Sequence, residues 1–294
     1  MQPGPATGDK ILPNSENPQA TNDFISATAA DGARVEVTLH GGHVCSWRTP
    51  DGAERLFMSP LNSWRSDSAI RGGIPVIFPQ FASEGPLPKH GFARISAWSL
   101  LESARQMDGS GLIRLGLADS EQTRGVFPHA FALELRIKFS GQTLNTELVV
   151  TNNGDQPFAF TCALHTYLNS HIADAALYGL KGYRYRDSVD SRRIKMADEE
   201  VLHISREVDR VYFAVDKPIT LGGHQQSLIA TQAGFADAVV WNPWENGCEK
   251  IADLKLDSYQ HFVCVEAATV EHPVTLAPNA SWSGYQNLEC VLIA

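Results

Sequence analysis

Between Phe131 and Val150 the chain alternates apolar and polar side chains twice over, and no other stretch restricts its fold as tightly. Phe131, Leu133, Leu135, Ile137 and Phe139 alternate with Ala132, Glu134, Arg136 and Lys138, and Leu144, Thr146, Leu148 and Val150 repeat the period after Ser140-Gly141-Gln142-Thr143. Side chains two apart share one face of a strand, so each run has a buried face and a wet face, and the glycine-containing break reads as a hairpin turn. A sheet wet on one side is antiparallel and needs a second layer over its apolar side, which predicts a β-sandwich. Asn152 to Asp155 then turn the chain again. Arg34 to His40 (RVEVTLH) is a further half-buried strand, turned by Gly41 and Gly42 into another beginning at His43. Short strands are expected at Ala97–Leu101, Leu112–Leu117, Asp209–Phe213 and Ala238–Trp241, and a last one at Trp282–Leu292. Leu180 to Ile204 is polar without sustained periodicity, with room for a short helix near Met196–Val201.

The stretch Arg71 to Arg94 (RGGIPVIFPQFASEGPLPKHGFAR) behaves differently. Pro75 and Pro79 exclude a helix interior or central strand, while Gly72 and Gly73 permit backbone conformations that other residues avoid. An ordered loop is expected. It carries three permanent cations, Arg71, Lys89 and Arg94, and the titratable His90 among apolar side chains, a combination suited to an anionic small molecule. Solvated arginines paired with local acids would explain the same spacing.

Two strands end in chemistry. Along Pro157–His165 (PFAFTCALH), Phe158, Phe160, Cys162 and Leu164 share a large apolar face, while Ala159, Thr161 and Ala163 clear space on the other before His165. That face reads as the floor of a pocket, although a core histidine bonded to backbone fits the pattern too. In Phe262–Glu266, Val263 and Val265 on one side and Phe262 and Cys264 on the other indicate a central strand. Glu266 then stands where a buried side chain is expected, and a carboxylate there needs partners, a raised pKa or a chemical role. Trp241 and Trp244, around an Asn-Pro turn, offer rings for a sugar-facing wall or for the core. His40 and His43 lack a third ligand at suitable spacing and read as turn histidines.

An imidazole, a buried carboxylate and a cationic loop together support general acid–base chemistry on an anionic substrate. A net charge of −9 argues against nucleic acid or an anionic membrane as partner. The five cysteines are odd in number and without CxxC spacing, which points to reduced thiols, a cytoplasmic location and no zinc site. No apolar run approaches membrane-spanning length. GxSxG, P-loop, HExxH and dinucleotide motifs do not occur, so no cofactor and no metal is expected. Residues 1–22 are expected to form a loose tail, and residues 23–294 a single domain.

RGGIPVIFPQF, the HGFAR of His90 to Arg94, the LHTYL around His165, DRVY from Asp209, VVWNPW and the strand ending in Glu266 resemble, in order, the aldose 1-epimerase superfamily, and in particular its hexose-6-phosphate branch. The resemblance spans about residues 25 to 292. It implies an all-β, large antiparallel twisted β-sandwich of the galactose mutarotase type that interconverts the α and β anomers of a hexose 6-phosphate without metal or nucleotide cofactor; a monomer acting on a small-molecule phosphosugar is expected. It also implies Glu266 as general base on the C1 hydroxyl and His165 as general acid on the ring oxygen. Arg71 and Arg94 correspond to phosphate-binding arginines, and His90 and Asp209 to sugar-pocket residues. Lys89 stands where several relatives have Gln. A free-sugar epimerase and a non-catalytic carbohydrate-binding protein are the alternative readings; a glycosidase would want two carboxylates where only Glu266 stands out.

Overall fold

The computed structural model describes residues 24–223 and 226–292. The expected N-terminal tail lies outside them. The predicted hairpin forms from Phe131–Ser140 and Thr143–Asn152, with Ser140 opposite Thr143 and Gly141 at φ +53° in the two-residue turn. It sits inside a 9-stranded sheet flanked by Gly111–Ala118 and Ser281–Leu292. An 8-stranded sheet runs in the order Arg193–Met196, Arg184–Asp187, Val208–Tyr212, Asp237–Asn242, Phe262–Leu276, Phe158–Leu164 and Val76–Ile77, and Tyr167–Asn169 also pairs with Phe262–Leu276. Phe24–Thr28, Arg34–Thr38 and His43–Arg48 make a 3-stranded sheet. The strand pairings in these sheets are antiparallel.

The alternation decides which faces meet. Phe131, Leu133, Leu135, Leu148 and Val150 of the larger sheet pack with Phe158, Phe160, Cys162, Leu164, Val263 and Val265 of the 8-stranded sheet in one apolar core. Each fully buried Leu, Ile or Phe adds about 1.5–3 kcal/mol. A polar link also crosses the layers: the Thr166 hydroxyl donates to Gln286 Oε1 at 2.5 Å, and Gln286 Nε2 donates to the Val265 carbonyl at 2.9 Å. With odd-numbered residues of Phe262–Glu266 turned into this core, Glu266 is left on the outer face of the 8-stranded sheet. The all-β sandwich is thus the observed architecture.

Three local expectations change. The strand expected to end at Glu266 runs on from Phe262 to Leu276, so Glu266 lies within it, because the register with Phe158–Leu164 continues past it. The polar segment from Leu180 to Ile204 forms three short strands, Arg184–Asp187, Arg193–Met196 and Val201–His203, and no helix near Met196. Short edge strands satisfy backbone groups through their neighbours and need no periodicity of their own. The strand expected at Ala97–Leu101 runs instead over Ser99–Arg105. Two short helices, Glu121–Val126 and Trp244–Cys248, were not expected; the first begins at a capping box of Ser120 and Thr123.

Candidate active site

Sheet register brings the acid–base pair together. Ala267 lies opposite Leu164 and Cys264 opposite Tyr167, so the residues between, Glu266 and His165, face each other across two strands 101 positions apart in sequence by subtraction (266 − 165). Their groups meet with His165 Nδ1 3.2 Å from Glu266 Oε1. Both are buried, and neither His165 Nδ1 nor Glu266 Oε2 has a hydrogen-bond partner among the described residues. Ala163 and Val239 fill the adjoining outer-face positions with small or apolar side chains, as the cleared face of Phe158–Leu164 anticipates.

The Arg71–Arg94 loop wraps the end of this strand pair. Val76–Ile77 adds to the sheet edge beside Leu164 and Ala163, the His165 N–H donates to the Pro75 carbonyl at 3.0 Å, and the Tyr167 N–H donates to that of Gly73 at 2.9 Å. Gly72 and Gly73 have φ of +104° and +60°, and a Cβ on Gly72 would stand 2.3 Å from the Phe57 carbonyl oxygen. Only glycine fits there, so Arg71 is delivered to the site by a turn no other residue can make.

A cavity of about 350 Å³ opens over the pair. Among its walls are His165, Glu266, Arg71, Lys89, His90 and Asp209, six of the seven residues singled out from sequence; Arg94 does not line it. Arg94 lies behind, where its charge lowers the proton affinity of both His90 and His165. Its Nη2 donates to the Lys89 carbonyl at 2.9 Å, while its Nε is buried without a partner among the described residues. Arg71 is engaged differently, donating from Nε to Asp253 Oδ1 at 3.0 Å and from Nη1 to Tyr167 Oη at 3.1 Å. Lys89 is exposed at the rim. His90 has φ +66°, and its Nδ1 accepts from the Ala82 N–H at 3.2 Å. A neutral ring that accepts at Nδ1 carries its proton on Nε2, so His90 offers the cavity a donor.

Burial dominates the proton affinities. It raises Glu266 well above the usual carboxylate range, with Asp209 adding to the rise, and it holds His165 well below the usual imidazole range, helped by His90, Arg71 and Arg94. The ordinary order, in which imidazole binds a proton far more tightly than carboxylate, is thereby offset. Two groups with converging affinities can pass protons in either direction. Asp209 is itself raised by burial.

Of the two tryptophans, Trp241 lines the cavity, its ring edge-on to His165 at 5.8 Å, whereas Trp244 packs on Tyr259. His40 Nε2 and His43 Nε2 meet the carbonyls of Ser68 and Gly72 at 2.7 and 2.8 Å; His43, which opens a strand, leaves its buried Nδ1 without a partner among the described residues. The donor atoms of His165, Cys264 and Glu266 fall within 4.8 Å of one another, the one such group among the described residues. The Cys264 thiol is fully buried, and that burial raises its proton affinity well above the usual thiol range. Asp253, Tyr167, Ser188 and Arg192 join the site without having been singled out from sequence. For Tyr167 a signal existed, since it lies two residues beyond His165 and shares its face; for Asp253, 182 positions from Arg71, none did.

A stability prediction arises from two buried histidines. Burial pushes His43 down to about 3 and His90, beside Arg94 and Lys89, to about 2. The unfolded chain then binds protons the folded chain refuses, so these rings contribute stability that is present above pH 6.5 and lost as pH falls toward 3. His165 and Glu266 act with opposite signs and offset each other, and Asp209 subtracts somewhat. Urea unfolding between pH 6.5 and 5 should show a loss of about 2 kcal/mol per pH unit. A flat profile would mean that the two rings are protonated in the folded protein.

A buried carboxylate–imidazole pair beneath a polar, cation-lined cavity on a β-sandwich is equipped for general acid–base chemistry on a small polar molecule. Residues 23–289 match the family described as aldose 1-epimerase, and the chain belongs to that family. A protein of Cenchrus ciliaris named as a putative glucose-6-phosphate 1-epimerase is 35% identical over 273 residues, covering 88% of this chain and 83% of its own. One of the same name from Escherichia coli K12 is 32% identical over 279 residues, 87% and 90% of the two chains. The crystal structure of a putative mutarotase from Salmonella typhimurium superposes with a TM-score of 0.84 at 27% identity, covering 92% of this chain and 90% of that one. A galactose mutarotase-like protein from Clostridium acetobutylicum shares the fold, with a TM-score of 0.72 at 16% identity over 92% and 96%. No helix among the described residues is long and apolar enough to cross a membrane.

Proposed function

We propose that the protein interconverts the α and β anomers of a D-hexose 6-phosphate, glucose 6-phosphate in the first instance, through the open-chain aldehyde. The observation that carries this reading is the buried His165–Glu266 pair at 3.2 Å with the Arg94 guanidinium, its Nε–H without a partner among the described residues, behind it. Glu266 takes the proton from the hydroxyl on C1. His165 gives one to the ring oxygen as the C1–O5 bond breaks. Rotation about C1–C2 and closure with the roles reversed yields the other anomer. The two reacting oxygens share one carbon, so an acid and a base side by side can serve both.

Arg71 at the wall is placed to hold the phosphate with its guanidinium fork, Lys89 adds charge at the rim, and Arg94 joins them once the wall in front of it shifts, which would give its partnerless Nε–H an acceptor. A bound dianion also cancels the positive field that depresses His165, restoring to the general acid some of its proton affinity when substrate is present. His90 donates from Nε2 to a sugar oxygen, Asp209 accepts from hydroxyls, and Trp241 offers a ring to the sugar's C–H face. The protein is read as a monomer of one catalytic domain, residues 23–294. Five free, buried cysteines fit a reducing cytoplasm.

Removing Arg94 tests the phosphate assignment. Arg94→Ala should lower kcat/KM for glucose 6-phosphate about 10- to 100-fold, the range for a hydrogen bond to a charged group, and leave turnover of free glucose or galactose within about threefold. Equal losses on phosphorylated and free sugars would instead favour a free-aldose epimerase.

A further inference from the structure

Tyr167 touches both halves of the site. Its phenol oxygen accepts the Nη1–H of Arg71 at 3.1 Å, and its ring lies parallel to that of His165, 4.9 Å between centroids at an interplanar angle of 11°. The contact is built in from several sides. Tyr167 is 1% exposed, paired with Cys264 in the sheet, edge-on to Trp241, and its own N–H and C=O bond to Gly73 and Phe57. Arg71 in turn is fixed on its other side by Asp253. A surface arginine would have none of this. Here a guanidinium that faces the cavity and the imidazole that moves the proton are joined through one rigid side chain with only two rotatable bonds.

We propose that Tyr167 is a positioning residue that couples occupation of the phosphate subsite to the orientation of His165. This rests on the assignment of Arg71 to phosphate. When a phosphate draws Arg71 into place, the phenol oxygen moves with it, and the stacked ring carries that displacement to the imidazole plane. Binding energy from the unreactive end of the substrate then improves the alignment of the general acid, which is how remote contacts raise kcat as well as lowering KM. The arrangement predicts a preference for phosphosugars greater than ionic attraction alone would give.

Two variants separate the hydroxyl from the ring. Tyr167→Phe keeps the stack and cuts the link, so kcat on glucose 6-phosphate should fall about fivefold, the worth of one hydrogen bond, and clearly more than kcat on free glucose, which should fall less than about twofold. Adding Tyr167→Phe to Arg71→Ala should cost nothing further, because the link is already cut. Tyr167→Leu removes the stack and should lower kcat on both sugars alike. The proposal is overturned by a Tyr167→Phe enzyme that matches wild type on both sugars, by equal losses on both, or by effects that add in full to those of Arg71→Ala. A wild-type enzyme with no preference for the phosphosugar would sink the phosphate assignment first, and the coupling with it.

Discussion

Replacing Glu266 by Gln is expected to reduce kcat by about 10²- to 10⁴-fold, the contribution of one positioned acid–base group, with KM for the phosphosugar within a few-fold of wild type. The amide keeps the volume and polarity of the side chain but cannot accept the C1 hydroxyl proton. Stability should not suffer. Glu266 Oε2 has no hydrogen-bond partner among the described residues and the residue is 1% exposed, so a neutral amide is easier to bury than the carboxylate it replaces. Loss of turnover with a folded, phosphosugar-binding protein is thus the expected signature, read from anomer exchange and from ligand-induced shifts in unfolding temperature. A fully active Glu266→Gln enzyme would remove this residue as the base.

His165→Asn is expected to be as severe, again about 10²- to 10⁴-fold in kcat, since Asn can fill the space beside Ala163 and Tyr167 but cannot deliver a proton to the ring oxygen. The two replacements together should cost little more than either alone. Ring opening needs a proton taken from O1 and another given to O5 in one event, and a pair that works as a unit loses its function once. Steady-state rates of the single and double variants on glucose 6-phosphate decide the matter. Losses that multiply would mean that the carboxylate and the imidazole act in separate steps.

Much of this site was readable along the chain because strands write their faces into sequence with period two. The cleared positions Ala159, Thr161 and Ala163 before His165, and a carboxylate at a buried position of the Phe262–Glu266 run, marked the imidazole and the carboxylate separately. Their 3.2 Å approach was not readable, since it follows from the register Ala267 opposite Leu164, which is set by strands far apart in sequence. The cations of the Arg71–Arg94 loop were plain, and the glycines that turn Arg71 into the cavity behaved as their side-chain-free backbone allows. The partners of those cations were hidden. Asp253 reaches Arg71 from a loop without any pattern, and Arg94 sits behind the cavity wall, a depth that residue type and spacing do not encode. The segment Leu180–Ile204 hid its strands for a related reason: short edge strands such as Arg193–Met196, exposed along most of their length, lack the alternation that marks a half-buried one.

The central claim is that His165 and Glu266 move protons between two oxygens of one phosphosugar held by Arg71 and Arg94. Magnetisation exchange between the α and β anomeric proton signals of glucose 6-phosphate, with and without the protein, measures this without a coupling enzyme, and the same samples made with free glucose and galactose supply the comparison. Exchange accelerated strongly for glucose 6-phosphate, and weakly or not at all for the free sugars, is the predicted result. Exchange unchanged for glucose 6-phosphate, whatever happens to the free sugars, would contradict it.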